Sequence, residues 1–283
     1  MKVIKILICF IILSGCSVSN NPQLVKQALV TQENFNRLIF ENYELNESLI
    51  FNTEVWTKTL NFNNNRIAII YIEGDGNAWS SRYEQSADPS PQRPLALKLA
   101  AKDPRNNIFY FSRPCQYVSI KDSLCQNSKK YWGTARYNEM VIKYYHQLIS
   151  LIKKRYNINK FELIGYSGGG VIAAAVAALR KDIILLTTVA SNLDHQRWTT
   201  FHNVSKLTES IDLYQFSKQL SKIRQIHLFG ETDNIVPAKI NTFFLRNLKQ
   251  KQPGNVKVLI LSHGHQCCWV DNWKNILKEI NDS

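Results

Sequence analysis

The stretch Phe161 to Ala175, FELIGYSGGGVIAAA, constrains this chain more than any other. A short β-rich run, Phe161 to Ile164, enters Gly165, Tyr166, Ser167, Gly168 and Gly169, and a segment of small residues with helical character follows at once. That is the GxSxG pattern of a nucleophile elbow, in the strand-turn-helix context the pattern requires. A serine at so sharp a turn sits in strained backbone, and flanking glycines let strand and helix approach each other. Its hydroxyl then stands at a helix N-terminus, where free N–H groups and the helix dipole favour developing negative charge. The structural alternative is a glycine-rich turn that only packs or binds an anion.

A serine needs a base to become a nucleophile, and the base needs an acid to orient it. Downstream, HLFGETDNIVP places Asp233 four residues past a predicted strand, and LILSHGHQCCW places His263 and His265 just past another. Serine, acid and histidine thus follow one another at the ends of strands, an order a triad can take. Asp233 also suits an Asx-turn or a helix cap. Asp194, in NLDH after the preceding strand, is the reserve acid, and His263 competes with His265 for the base.

The rest of the chain alternates strands with helices. Leu24 to Val30 reads as a short helix, and Arg37 to Phe40 with Leu49 to Val55 as two antiparallel strands. Ile67 to Ile72 is a continuous apolar run of the buried-strand type. Pro94 to Ala101 reads as a helix with proline near its start, and Ile108 to Phe111 as the next strand. Tyr137, Met140, Val141, Tyr144, Tyr145, Leu148 and Ile152 recur at helical spacing and read as a core-facing stripe. Ile183 to Ala190, Ile223 to Phe229, a helix around Ala238 to Lys249, Val256 to Leu261 and a terminal helix from about Asp271 complete the pattern. The fold class expected is α/β, a mostly parallel sheet with helices on both faces, in a single domain over residues 24–283. Two long irregular segments, Ala78 to Arg93 and Arg113 to Trp132, are the natural carriers of function.

At the other end, MKVIKILICFIILSGC begins with basic residues, continues with an apolar run from Ile6 to Leu13 and ends in small residues. The run is too short for a permanent span and reads as a signal peptide over residues 1–15. Leu13 to Cys16 resembles the lipobox of bacterial lipoproteins, with Cys16 the lipidated residue and residues 16–23 a tether. Several acyl chains anchor a protein to a membrane without crossing it. Ser17, in place of an aspartate, favours the outer membrane by resemblance to enterobacterial sorting signals. The formal net charge is +13, or +11 once Lys2 and Lys5 are removed with the signal. A basic surface favours anionic lipid, envelope polymers or acidic substrates, and export argues against nucleic acid. Apart from Cys9 and Cys16, four cysteines remain for an oxidising compartment. Cys115 with Cys125 closes a short loop and is preferred. Cys267 and Cys268 are then left as an adjacent pair, bonded to each other or free. No CxxC spacing supports a metal site.

These marks together resemble the bacterial α/β-hydrolase lipoproteins. The resemblance runs from about Ala68 to Trp273 and is carried by YIEGDGNAW at Tyr71 to Trp79, DPSPQRPLALKLA from Asp88, SRPCQY from Ser112, YWGTARY from Tyr131, GYSGGG, and the HxCCW of His265, Cys267, Cys268 and Trp269. In that family the histidine before xCCW occupies the base position, which implies a triad of Ser167, Asp233 and His265. One oxyanion donor should be the N–H of Gly168. The second should come from the EGDG loop after the Ile67 to Ile72 strand, through Asp75 N–H or, failing that, Gly76 N–H. The Asp75 carboxylate would oppose an oxyanion if it pointed inward, so it is expected to turn away and cap its loop. The implied activity is hydrolysis of an ester-like acyl bond in a small-molecule or lipid substrate, with no metal or organic cofactor. A serine peptidase and a non-catalytic binding lipoprotein are the competing readings.

Overall fold

The computed structural model describes residues 21–38, 51, 53–62, 66–117, 125 and 129–282. The expected signal segment, Cys16, most of the tether, Phe40 and the start of the Leu49 to Val55 strand lie outside them. In chain order the strands and helices are α1 (Pro22–Gln32), β1 (Asn36–Arg37), β2 (Val55–Lys58), β3 (Ile67–Ile72), α2 (Leu95–Lys102), β4 (Ile108–Phe111), α3 (Glu139–Tyr156), β5 (Lys160–Tyr166), α4 (Gly168–Ala178), β6 (Ile183–Val189), α5 (His195–His202), α6 (Ser217–Leu220), β7 (Gln225–Gly230), α7 (Thr242–Lys251), β8 (Val256–Leu261) and α8 (Trp269–Asn281).

The strands form one sheet in the order β1-β2-β4-β3-β5-β6-β7-β8. Only β1 with β2 and β2 with β4 pair antiparallel; every other pair is parallel. Alternation along each buried strand sends side chains to two separate cores. From β3, Ala68, Ile70 and Ile72 enter one core, while Ile69 and Tyr71 enter the other. Phe109 and Phe111 of β4 follow the first set, and Ile108 and Tyr110 the second. The first core is closed by α3, α4 and α7 through residues such as Tyr144, Ile172 and Leu248, the second by α2 and α8 through Leu97 and Trp273. A sheet covered on both faces needs strands apolar at consecutive positions, which is why IAIIYI carries no polar break.

Several boundaries differ from the sequence expectation for local reasons. Helix α1 begins at Pro22, because the Asn21 side chain accepts from Gln23 N and proline suits the first turn. Two residues assigned to the tether therefore belong to the helix. Strand β2 starts only at Val55 and runs on to Lys58, in register with β4. Helix α8 starts two residues early, at Trp269, where Cys268 adopts φ 79° and turns the chain into it. Within the stripe of α3, Met140 is 39% exposed and is not a core residue, whereas Val141, Tyr144, Tyr145, Leu148 and Ile152 are buried. The disulfides are Cys115–Cys125 and Cys267–Cys268.

Candidate active site

Parallel strands deliver their C-terminal ends to one rim of the sheet, and the residues singled out in the sequence lie there. Strand β5 ends at Tyr166 and α4 begins at Gly168, leaving Ser167 as the single residue between them. Its backbone is at φ 49°, ψ −123°, a left-handed conformation costly for a residue with a Cβ. The turn is held by Ser167 N donating to Val189 O at 2.9 Å and by Gly170 N donating to Ser167 O at 3.0 Å. A Cβ on Gly165 would overlap the backbone of Gly169 and Gly170, so glycine there is the condition for strand and helix to meet.

Asp233 lies three residues past β7 and is buried. Its two oxygens divide their tasks. Oδ1 accepts from Ile235 N and Val236 N, both at 2.8 Å, an Asx-type turn. Oδ2 is 2.9 Å from His265 Nδ1. One side chain thus makes both the Asx-type turn and the contact with His265. Burial pushes its carboxyl upward, but the His265 interaction and the two N–H donors outweigh this and hold it below the usual carboxylate range. His265 is fixed by more than its acid. Tyr166 OH donates to His265 O at 3.2 Å, and Trp269 Nε1 reaches Gly264 O at 2.9 Å and His265 O at 3.1 Å. The Tyr166 ring stands 5.3 Å from the imidazole.

Neither reserve residue contacts the other members of the candidate triad through a hydrogen bond among the described residues. His263 is buried against Trp269 with ring centroids 4.6 Å apart, neither ring nitrogen has a hydrogen-bond partner among the described residues, and burial lowers its pKa. Asp194 caps α5 by accepting from Arg197 N at 3.0 Å and receives Tyr214 OH at 3.0 Å.

Ser167, His265, Asp75 and Gly76 all line one cavity of about 630 Å³. The Asp75 carboxylate does not cap its loop, and it lies close against Gly168. It binds Arg113 Nη1 at 2.8 Å, Arg136 Nη1 at 2.9 Å and Tyr137 OH at 2.9 Å. Burial raises its pKa, and the two guanidinium groups more than reverse that, leaving it below the ordinary value. The loop is instead held by Glu73, whose carboxylate accepts from Gly74 N at 3.0 Å and, at the start of α2, from Ala96 N at 3.3 Å and Leu97 N at 3.4 Å. Sequence reasoning assigned no role to Glu73, Arg113 or Arg136, and read Tyr137 as core alone. All four lie in motifs that carried the resemblance, but nothing in their spacing tells which carboxylate each arginine would meet.

With this geometry in view, the comparisons with known proteins are specific about class. The family described as Serine hydrolase (FSH1) matches residues 96–272, more than half of the chain, a stretch that includes Ser167, Asp233 and His265 and leaves out Asp75 and Gly76. Curated proteins give no match. Among solved structures, the chain is similar to an esterase from Pyrococcus furiosus, at 14% identity over 89% of this chain and 90% of that one, with a TM-score of 0.53. It is similar also to Est1E from Butyrivibrio proteoclasticus, at 12% identity over 87% and 97% with a TM-score of 0.55. The esterase domain of a Rhodothermus marinus protein aligns at 11% identity over 88% and 96%, also with a TM-score of 0.55. Identities this low speak to the fold, which is that of the α/β-hydrolases. By the extent of the family match, the chain belongs to the FSH1 serine hydrolase family.

Proposed function

We propose that this serine hydrolase cleaves an ester-like acyl bond through Ser167, His265 and Asp233, while held at a membrane surface by a lipid on Cys16. The observation that carries the catalytic part is the 2.9 Å contact between His265 Nδ1 and Asp233 Oδ2, on the wall of the cavity that Ser167 enters from its strained turn. Asp233 Oδ2 accepts a hydrogen bond from Nδ1–H, which leaves Nε2 unprotonated and free to take the proton of Ser167 Oγ as the hydroxyl attacks the acyl carbon. The carbonyl oxygen becomes an oxyanion beside the N–H of Gly168, which at the first position of α4 has no acceptor within the helix. Asp75 N–H, with Gly76 N–H as its neighbour, supplies the second donor. The two arginines on the Asp75 carboxylate neutralise a charge that would otherwise oppose the oxyanion. Nε2–H then protonates the leaving alcohol, and water, deprotonated by His265, releases the acid.

Fluorophosphonate labelling of the full chain tests the catalytic reading. Labelling of the wild type and none of Ser167→Ala is expected, with hydrolysis of short acyl esters lost in the same variant. A wild type that does not label would favour a binding protein, and cleavage of aminoacyl amides but not esters would favour a peptidase. The anchor is tested by fractionating cells that express the Cys16→Ser variant: the protein should leave the membrane fraction. Equal membrane retention of both forms would refute it.

A further inference from the structure

Helix α1 has a direction that bears on how an anchored chain would sit. Strand β4 ends at the catalytic rim with Phe111, and β2 lies antiparallel to it, so Val55, opposite Phe111, is at the rim and Lys58, opposite Ile108, is at the far end. Near the start of α1, Lys26 meets Glu54 at 3.5 Å and stands 4.9 Å from the ring centre of Tyr117. The Tyr117 OH donates at 3.2 Å to the carbonyl of Pro91, a residue of the cavity wall. Just past the end of α1, Glu33 meets Lys58 at 3.6 Å and Lys102 at 3.8 Å. The helix therefore begins at the cavity end of the sheet and runs away from it. Cys16 precedes Asn21 by five residues, a reach of about 18 Å at full extension. A lipid on Cys16 would bring the bilayer to the end that carries the cavity.

The surface at that end suits a bilayer. Among the described residues, the exposed large aromatic side chains are Trp79, Tyr83, Phe201 and Phe243, with Tyr83 at 88%. All belong to segments that meet beside the cavity mouth. Trp79 lines the cavity, and Arg82, next to Tyr83, donates to Asn203 O at 3.3 Å, just past α5. Phe201 of α5 has Lys239 at 4.7 Å from its ring centre, and Arg197 of the same helix stands 3.6 Å from that of Phe243. Trp198 Nε1 donates at 2.7 Å to the carbonyl of Ile235, half exposed and also on the cavity wall. At the opposite end of the sheet the exposed apolar residues Leu179 and Ile184 are aliphatic. Arg82, Arg93, Lys239 and Arg246 are exposed on or beside the aromatic surface, without a carboxylate partner among the described residues. Of the nearby acids, Asp194 and Asp212 cap the turns that follow them, and Glu84 is exposed. Aromatic side chains interspersed with unpaired cations match the headgroup region of an anionic bilayer.

Resting on the membrane-anchored reading above, we infer that the cavity mouth is itself a membrane-docking surface. Trp79, Tyr83, Phe201, Ile235 and Phe243 seat in the headgroup region, the unpaired cations meet lipid phosphates, and the Ser167 cavity opens toward the lipid.

The test uses the lipidated full chain reconstituted into phosphatidylglycerol vesicles with brominated acyl chains, which quench a nearby fluorophore. A fluorescent label is attached to Ser81→Cys, in the Trp79 loop, or to Lys181→Cys, exposed at the opposite end. Quenching of the first should exceed that of the second about fivefold or more, as for a surface seated about 5–10 Å into the bilayer boundary. Replacing both Phe201→Ser and Phe243→Ser, with the fold verified by a thermal melt, should lower the Ser81→Cys quenching by about half or more while the protein stays on the vesicles. Phosphatidylcholine vesicles should lower it as well. Equal quenching at the two positions, in the serine variant and its parent, or in the two kinds of vesicle would overturn the assignment. The comparison of the two label positions leaves both phenylalanines in place, so a poorly folded serine variant does not shelter the inference. A chain that does not associate with vesicles removes the anchor reading and this inference together; one that associates but is quenched equally at both ends removes only this one.

Discussion

Glu73 offers the sharpest physical test, because burial and hydrogen bonding pull its ionisation in opposite directions. It follows β3, is 1% exposed, and receives Gly74 N, Ala96 N, Leu97 N and, at 3.2 Å, Tyr110 OH. Burial is the larger effect and the donors only partly offset it, so the carboxyl is raised from 4.5 to about 7. Between those pH values the folded protein keeps a proton that the unfolded chain has released. Stability from this group is therefore complete below pH 4.5 and is lost as pH rises through 7. At about 1.4 kcal/mol per pH unit the interval comes to about 3 kcal/mol. Glu73→Gln preserves the shape and cannot titrate, so relative to the wild type it should gain about 3 kcal/mol between pH 4.5 and pH 8. Urea unfolding followed by tryptophan fluorescence, run on both proteins at each pH, reads that difference, and the other titrating groups cancel. A wild-type-to-variant gap that stays constant, or that moves toward the wild type as pH rises, would refute the reasoning. The second result would mean that four donors keep the carboxylate ionised despite its burial.

Two further perturbations bear on the catalytic rim. Asp233→Asn should keep the turn to Ile235 and Val236, since an amide oxygen can still accept from both, but can no longer fix the imidazole as a proton-accepting partner. A fall in kcat of about 10³- to 10⁴-fold is expected, with KM little changed in steady-state ester hydrolysis. Gly168→Ala would drive a Cβ into the Asp75 carboxylate, which Arg113, Arg136 and Tyr137 hold in place. We expect a loss of about 1–3 kcal/mol in thermal or urea unfolding together with loss of ester hydrolysis, and a variant as stable and active as the wild type would contradict the packing described.

Short-range chemistry in the sequence is what made the elbow legible. Glycine at 165 and 168–170, apolar runs of strand length and a serine between them allow few conformations, so Ser167 could be placed at a strand-to-helix turn from the residues alone. The same holds for the doubly covered sheet, because strands without polar alternation leave no face for water. Element boundaries were less legible. Cys268 opens α8 two residues before the expected start, and Met140 breaks the stripe of α3, exposed beside the buried Val141 and Ile142.

By itself, then, the amino-acid order determined the layered fold, the strained serine and the candidate partners Asp233 and His265 at strand ends. Spacing alone left His263 and His265 open and the HxCCW resemblance pointed to His265, but only the tertiary structure shows which of the two meets an acid, because that depends on what folds against each. The same is true of Asp75, whose arginine partners come from positions 38 and 61 residues away. Local propensity is written over a few residues of chain. Pairing and burial are decided by elements that the chain brings together across the sheet.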